Sequence, residues 1–478
     1  MNRPRRSPDS VAVSRRRFLG AAASGLLAAP LLGTGCRAIQ GGAHHEGLNQ
    51  PNIILIVADD QRWDALGCVG NPVIHTPNMD RLAGSGVRFT NAFATTPICA
   101  AARASLLTGL WERAHGYTFQ QPALSSHLVA ESYPCLLRQA GYRTGFVGKL
   151  GIRLNEGDAA TLFDSFEPSS LPYFKDGPGG RRHLTDINTD RAVAFLRGCA
   201  PDQRFCLSLS YWAPHAEDSR EEQYFWPESC DSLYRDTAIP LPGRAAQTLF
   251  ESQPLFLQET LNRDRWHWRF DTSEKAIRMI KGYYRMISGV DAGIGRLMGE
   301  LRALGRARDT VVIVTSDNGY FLGERGYAGK WTMHEPSIRV PLIVYDPRRD
   351  ADQGTIIEEM VLNVDLAAFV LDLAGIAPPS TMQGRSFLPL LESRTAQWRG
   401  EIFTEHLWNH PRIPRTEAVR TRGCKYIRYP QHPEHEELYN LVEDPGEERN
   451  LAGRQECRVQ LENLRGRCES LAVSLGRE

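Results

Sequence analysis

One cysteine and one arginine stand four positions apart in the segment Cys99-Ala100-Ala101-Ala102-Arg103-Ala104-Ser105-Leu106-Leu107-Thr108-Gly109. The small residues suit a helix that begins at the cysteine. A nucleophile there would meet the positive end of the helix dipole and unpaired N–H groups. That setting suits attack on a sulfate or phosphate ester. Two acidic pairs add a second chemistry. Asp59-Asp60 directly follows the apolar run Asn52–Val57, and Asp317-Asn318-Gly319 directly follows Thr310–Thr315. Three carboxylates and a carboxamide are hard oxygen donors, suited to Ca²⁺ or Mg²⁺ rather than zinc. Lys149 lies just beyond Thr144–Gly148, His215 just beyond Arg204–Tyr211, and Lys330 in the loop after Asp317-Asn318. Taken singly, these are a small buried thiol, turn residues, solvated lysines and a structural histidine. Their shared place after apolar runs is what sets them apart.

The elements that must position them follow from hydrophobic pattern. Asn52–Val57 and Thr310–Thr315 are continuous β-branched runs, as expected of strands buried on both faces. Thr144–Gly148, Arg204–Tyr211 and Val340–Tyr345 complete the set. Helical spacing runs through Thr76–Gly86, Thr185–Gly198 and Ser273–Gly305. Strands alternating with helices predict an α/β fold with a large, mostly parallel sheet sandwiched by helices. Sites in such sheets form at strand carboxyl ends. After Leu391 the pattern changes to short, closely spaced strands at 402–404, 417–421, 425–429 and 437–441. Residues 417–429, broken at Arg422-Gly423, read as a hairpin. We expect a smaller C-terminal antiparallel subdomain over 392–478, closed by a helix near 454–475, beside a catalytic domain over 51–391. Residues 214–268 read as irregular and aromatic-rich.

The 478 residues carry 56 basic and 56 acidic side chains. With no net charge, nothing global favours nucleic acid, and attraction for an anion must be local. Residues 1–36 read as an export signal: Arg15, Arg16 and Arg17 precede the short apolar run Leu19–Leu32. Its arginines resemble a twin-arginine signal, and Cys36 leaves a lipid anchor open; any membrane association would come through these. Residues 37–50 read as a tether. None of the ten cysteines forms a Cys-x-x-Cys pair, so no zinc site is expected and disulfide pairing cannot be read from spacing.

Several segments in order resemble the formylglycine-dependent (type I) sulfatases of the alkaline phosphatase-like superfamily. They are Ala58–Asp64, His75–Leu82, Val87–Phe93, Cys99–Gly109, Gly141–Gly145, Ala213-Pro214-His215, Ser316–Gly319, Gly329-Lys330, Ser337–Pro341, Lys425–Ile427, Glu437–Leu441 and Asp444–Glu447. The resemblance implies oxidation of Cys99 to formylglycine by a formylglycine-generating enzyme. It implies Ca²⁺, in preference to Mg²⁺, held by Asp59, Asp60, Asp317, Asn318 and the modified Cys99. Arg103 would steady that residue and the metal, Lys149 and Lys330 would bind sulfate oxygens, and His215 would protonate the leaving oxygen. The family commonly has Gly-Lys-Trp-His where this chain has Gly148-Lys149-Leu150-Gly151. The usual histidine is therefore replaced by Gly151, with His334 and His75 as candidate substitutes.

Export and loop composition favour a sulfated oligo- or polysaccharide as substrate. Trp63, the Tyr224–Trp226 segment, His334, Trp408, Arg412 and Arg415 are candidate sugar contacts, because aromatics stack on sugar faces and arginine pairs with a uronate or second sulfate. The C-terminal pattern resembles glycan sulfatases, including N-acetylglucosamine-6-sulfatases. Two other readings stay open: a phosphonate or phosphate ester hydrolase of the same fold, and a glycan-binding protein in which Cys99 stays a thiol.

Overall fold

The computed structural model describes residues 50–241, 244–349, 352–392 and 397–476. The export signal, Cys36 and nearly all of the tether lie outside the described residues.

Alternation decides how the centre is built. In a strand, successive side chains point to opposite faces. In β1 (Asn52–Ala58), Ile53, Leu55 and Val57 enter one apolar cluster while Ile54 and Ile56 enter another. Both faces are therefore covered, which is why the run is apolar at every position. The same split occurs in the strand Thr310–Ser316, with Val311 and Ile313 on one side and Val312 and Val314 on the other. The long amphipathic helix Ser273–Ala303 and the helix Leu184–Arg197 pack on the second side. The helices Cys99–Thr108 and Asp365–Leu373 pack on the first.

In chain order the main-sheet strands are β1, β2 (Val87–Phe93), β3 (Arg143–Gly148), β4 (Ser165–Pro168), β5 (Phe205–Ser210), β6 (Thr310–Ser316), β7 (Arg339–Tyr345), β8 (Thr355–Ile357) and β9 (Val361–Leu362). Their spatial order is β8-β2-β7-β6-β1-β5-β3-β4, with β9 also paired to β2. From β6 to β4 all neighbours are parallel. The strand expected at Val340–Tyr345 departs from this: β7 runs antiparallel to both β6 and β2. β2, β4, β8 and β9 were not among the expected strands, because they are short or, like β2, half polar.

The C-terminal strands β10 (Glu401–His406), β11 (Thr416–Thr421), β12 (Cys424–Arg428) and β13 (Glu436–Asn440) form an antiparallel meander. The two-residue turn Arg422-Gly423 joins β11 to β12, as the hairpin pattern predicts. The helix Arg458–Ser474 packs Leu461, Leu464 and Cys468 into the same core as Ile402, Ala418 and Leu438. That core also takes Phe93, Trp111 and Met333 from the main body. The stretch read as irregular contains three helices, Arg244–Glu251, Leu255–Gln258 and Leu261–Arg269. All nine cysteines among the described residues are free thiols. No helix among the described residues is long and apolar enough to cross a membrane.

Candidate active site

Parallel register brings the chemistry together. Ala58 pairs with Ser316 and Val57 with Ser210, while Gly148 also pairs with Ser210. Neighbouring strands lie about 4.8 Å apart, so the residues just past these four strand ends must meet. They are Asp317 after β6, Asp59 and Asp60 after β1, His215 after β5 and Lys149 after β3.

Cys99 is the first residue of a ten-residue helix whose every residue is buried, and it is itself 5% exposed. Ligand atoms of Asp59, Cys99 and Asp317 all lie within 4.8 Å of one another, and so do those of Asp59, Asp60 and His215. Arg103, one turn along the helix, donates from Nε to Asp317 Oδ2 at 2.9 Å and from Nη1 to the Lys149 carbonyl at 2.7 Å. It also donates to Ser210 Oγ. Lys149 donates to Asp59 and Lys330 to Asp60. Asn318 Nδ2 donates to Asp60 Oδ1 at 2.6 Å. Asp60 adopts a left-handed backbone (φ 70°), which Asp tolerates better than most residues. The Tyr283 hydroxyl holds that turn by donating to the Asp60 carbonyl at 2.6 Å.

Burial raises a carboxyl pKa, yet Lys149, His215, Lys330 and Arg103 surround Asp59 and hold it far below the usual carboxylate range. Asp317 is raised to about 6, first by burial and then by the negative charge of Asp59. Burial is the largest influence and opposes the charge on Lys149 and Lys330, but the surrounding negative groups, led by Asp59 for the first and Asp60 for the second, together outweigh it, so both are held above their ordinary values. Burial lowers His215, with Asp59 and Asp60 acting against it. His215 Nδ1 lies 2.7 Å from the Ala216 carbonyl, which can only accept, so the proton sits on Nδ1. Nε2 is left toward the carboxylates, 3.8 Å from Asp60 Oδ2.

The residues fit a hard cation. Asp59 Oδ1 and Asn318 Oδ1 are buried oxygens with no hydrogen-bond partner. Such orphaned acceptors are costly without a ligand, and the donors are all oxygen apart from position 99.

Gly151 has a local cause. A Cβ there would sit 2.4 Å from Arg103 Cδ, and φ is +73°. A histidine has no room at 151 while Arg103 bonds as it does. Neither proposed substitute joins the cluster. His334 is 1% exposed, and its ring nitrogens engage Thr332 Oγ1 at 3.1 Å and Glu437 Oε2 at 2.9 Å. That engagement also removes His334 from the sugar contacts. His75 is exposed, its backbone held by Tyr234 and Ser288.

Of the other expected sugar contacts, Trp408 packs against Ile98, Ala101 and Trp331, which flank Cys99 and Lys330, and its Nε1 is unpartnered. Arg415 is half-buried with Nε unpartnered. Arg412 is exposed and bridges Asp264 and the Glu259 carbonyl. Trp63 stacks under Arg339 instead, and Tyr224 packs in the core on Tyr283. Asn262 was missed by sequence reading. Its Nδ2 donates to the Lys330 carbonyl at 2.8 Å and the Ala328 carbonyl at 3.2 Å, so it positions the Lys330 loop. A signal existed: Thr260 with Asp264 in the following turn is a helix start.

Against known proteins, the family profile described as Sulfatase matches residues 51–376. The chain is a member of the sulfatase family. A second profile, N-sulphoglucosamine sulphohydrolase C-terminal, matches residues 323–473 of this sulfatase. It is 29% identical to an N-acetylglucosamine-6-O-sulfatase of Bacteroides thetaiotaomicron, over 86% of this chain and 84% of that protein. It is 28% identical to an arylsulfatase of Clostridium perfringens, over 87% and 93%. Among solved structures it resembles one determined with its substrate D-glucosamine-2-N,6-O-disulfate, with TM-score 0.76, 26% identity and 89% and 98% of the two chains covered. The phosphonate monoester hydrolase of Agrobacterium radiobacter shares the fold, with TM-score 0.71, 22% identity and coverage of 89% and 96%.

Proposed function

We propose that this sulfatase releases sulfate from a sulfated amino sugar, a 6-O-sulfated glucosamine unit, using formylglycine made from Cys99 and a bound Ca²⁺. The observation that carries the reading is the meeting of Cys99 with Asp59 and Asp317 beside two orphaned oxygens. The N-acetylglucosamine-6-O-sulfatase relative and the disulfated glucosamine ligand of the neighbour support the substrate class.

Asp59, Asp60, Asp317, Asn318 and position 99 would hold the cation. Formylglycine would supply a hydrated-aldehyde oxygen as nucleophile, and Ca²⁺ would supply positive charge facing the ester oxygens. Lys149 and Lys330, now on Asp59 and Asp60, can turn their remaining N–H groups to sulfate oxygens. Arg103 holds Asp317 and the Lys149 backbone, fixing both relative to the helix that starts at Cys99. A sugar alkoxide is a strong base, so its departure needs a proton. His215 would deliver it from Nε2 once a sulfate beside the ring favours the imidazolium. We further propose export to the bacterial periplasm or, through Cys36, a lipid anchor.

The test is the mass of the peptide containing position 99, from protein made with a formylglycine-generating enzyme. A loss of about 18 Da marks the thiol-to-aldehyde conversion. The same protein should release sulfate from N-acetylglucosamine 6-sulfate, and added Ca²⁺ should raise its melting temperature. Unmodified cysteine with no sulfate release would sink the mechanism.

A further inference from the structure

We infer that Arg265, backed by Arg269, binds a second anionic group of the substrate, a sulfate or carboxylate carried by the same sugar or its neighbour. This deepens the sulfatase reading and rests on it. Both arginines lie on the helix Leu261–Arg269. Spaced four apart, they share a helix face, where like charges repel. Both donate to one carboxylate, Asp218. Two fixed cations thus share one anion. Nearby Tyr224 and Tyr320 add no charge, since burial pushes both phenols up.

The cluster is under-satisfied. Arg269 is wholly buried, yet its Nε and Nη1 have no partner. Arg265 is unpartnered at Nε as well. Buried guanidinium N–H groups without acceptors are costly. The opening is on the Arg265 side: the Asp218 side chain is 29% exposed and that of Arg265 is 11% exposed. Arg269 is the buried member of the pair and Arg265 the reachable one.

Its place is beside the residues that would hold the reacting ester. Asp218 comes three residues after His215. The Arg265 guanidinium lies 4.6 Å from the ring of Trp331, the residue after Lys330. Trp331 packs against Ile98 and Ala101 on either side of Cys99. Gly329, at φ +104°, makes room: a Cβ there would lie 3.2 Å from the Trp331 ring and 3.4 Å from Arg265 Cδ. A sulfate held by Lys149 and Lys330 would therefore leave a second anion of the same ligand within the field of Arg265. A guanidinium fork suits such a group, because it pairs planar oxygens bidentately.

The experiment uses the full chain carrying Cys99→Ser, which binds without turnover. It is titrated calorimetrically at low salt with N-acetylglucosamine 6-sulfate and with glucosamine-2-N,6-O-disulfate. The disulfate should bind about tenfold more tightly, the scale of one charge-assisted contact. In C99S/R265Q that advantage should fall below about twofold, and C99S/R265K should recover only part of it, having charge without the fork. Should the Gln variant fail to fold, the Lys variant reads the same ratio. Equal binding of the two sugars to the starting protein, no binding of the disulfate, or an advantage untouched by the substitutions would overturn the proposal. Sulfate release by the formylglycine form is measured alongside. Lost turnover with the binding difference intact would count against the sulfatase mechanism alone, and retained turnover without that difference against the arginine site alone.

Discussion

Two clusters of buried charge in this molecule use the same residue types to opposite ends. The active-site cluster sets Asp59, Asp60 and Asp317 against Arg103, Lys149 and Lys330. The second sets Glu335, Glu437 and Glu447 against Arg325, Arg420 and Lys425. In the second, partners come from within the chain. Lys425 lies 2.8 Å from Glu335 and 2.6 Å from Glu447. Glu437 accepts from His334, Tyr429 and Tyr439 at 2.6 to 2.9 Å. Although burial opposes its charge, His334, with His435 and Arg325, holds Glu437 well below its ordinary value. Arg325, His334 and Glu335 belong to the main body and the others to the C-terminal module, so the cluster welds the two. In the active site two acceptors, Asp59 Oδ1 and Asn318 Oδ1, are left without a hydrogen-bond partner, while Arg103 Nη2 has Asp317 Oδ2 at 2.9 Å. In the second cluster every carboxylate oxygen meets a donor or cation of the chain, and the group left over is a donor, Arg325 Nε. Three acids and three bases make a weld when the chain supplies a partner to every carboxylate oxygen, and a site when acceptor oxygens are left over for a cation from outside.

The sharpest way to break this contrast is to damage each cluster in turn. Cys99→Ala should cut sulfate release by more than about 10⁴-fold, the scale of losing a covalent nucleophile, while its thermal melting stays that of the parent. Lys425→Met should do the reverse. Stranding Glu335 and Glu447 should cost about 3–5 kcal/mol in denaturant unfolding, with turnover per folded molecule roughly unchanged. A surface-like cost at Lys425 would refute the weld.

A smaller effect is expected where the site is shaped by packing. Gly151→Ala introduces a Cβ against Arg103 at a positive φ. It should cost about 1–3 kcal/mol and lower turnover by displacing Arg103, measured by unfolding and steady-state rates. If Gly151→Ala is neutral in both, Arg103 is not what excludes a side chain there.

An effect of similar size, spread over a range of pH, is expected at Glu112. Glu112 is buried beside Glu405, and burial followed by the Glu405 charge pushes it up to about 8. A carboxyl raised in the folded state favours folding below its ordinary value of 4.5, and this contribution is lost as pH rises through 8. Stability should therefore decline between about pH 5 and 9 by on the order of 1–3 kcal/mol. Glu112→Gln should flatten that slope, as read by unfolding across the pH series.

Much of this was legible along the chain. Four of the parallel strands, the helices at 77–84, 184–197 and 273–303, and the hairpin at 416–428 carry local periodicity strong enough to read. The candidate metal-binding acids could be grouped because they directly follow apolar strands, and adjacent parallel strands must bring such ends together. The helix Leu261–Arg269 was legible only at its start, Thr260 with Asp264, since Trp266, Trp268 and its arginines mask any apolar stripe. Nor was the burial of His334, whose partner Glu437 lies 103 positions away.

The sequence by itself determined the class of chemistry, the sulfatase resemblance and the strand ends at which the chemistry sits, because these depend on residue type and short-range pattern. Only the tertiary structure decided which arginines share Asp218, why position 151 has no side chain, and which of two similar charge clusters leaves acceptor oxygens unpaired. Those outcomes depend on atoms brought together from distant segments, where a few ångströms decide whether a buried polar group is paired or left for a ligand.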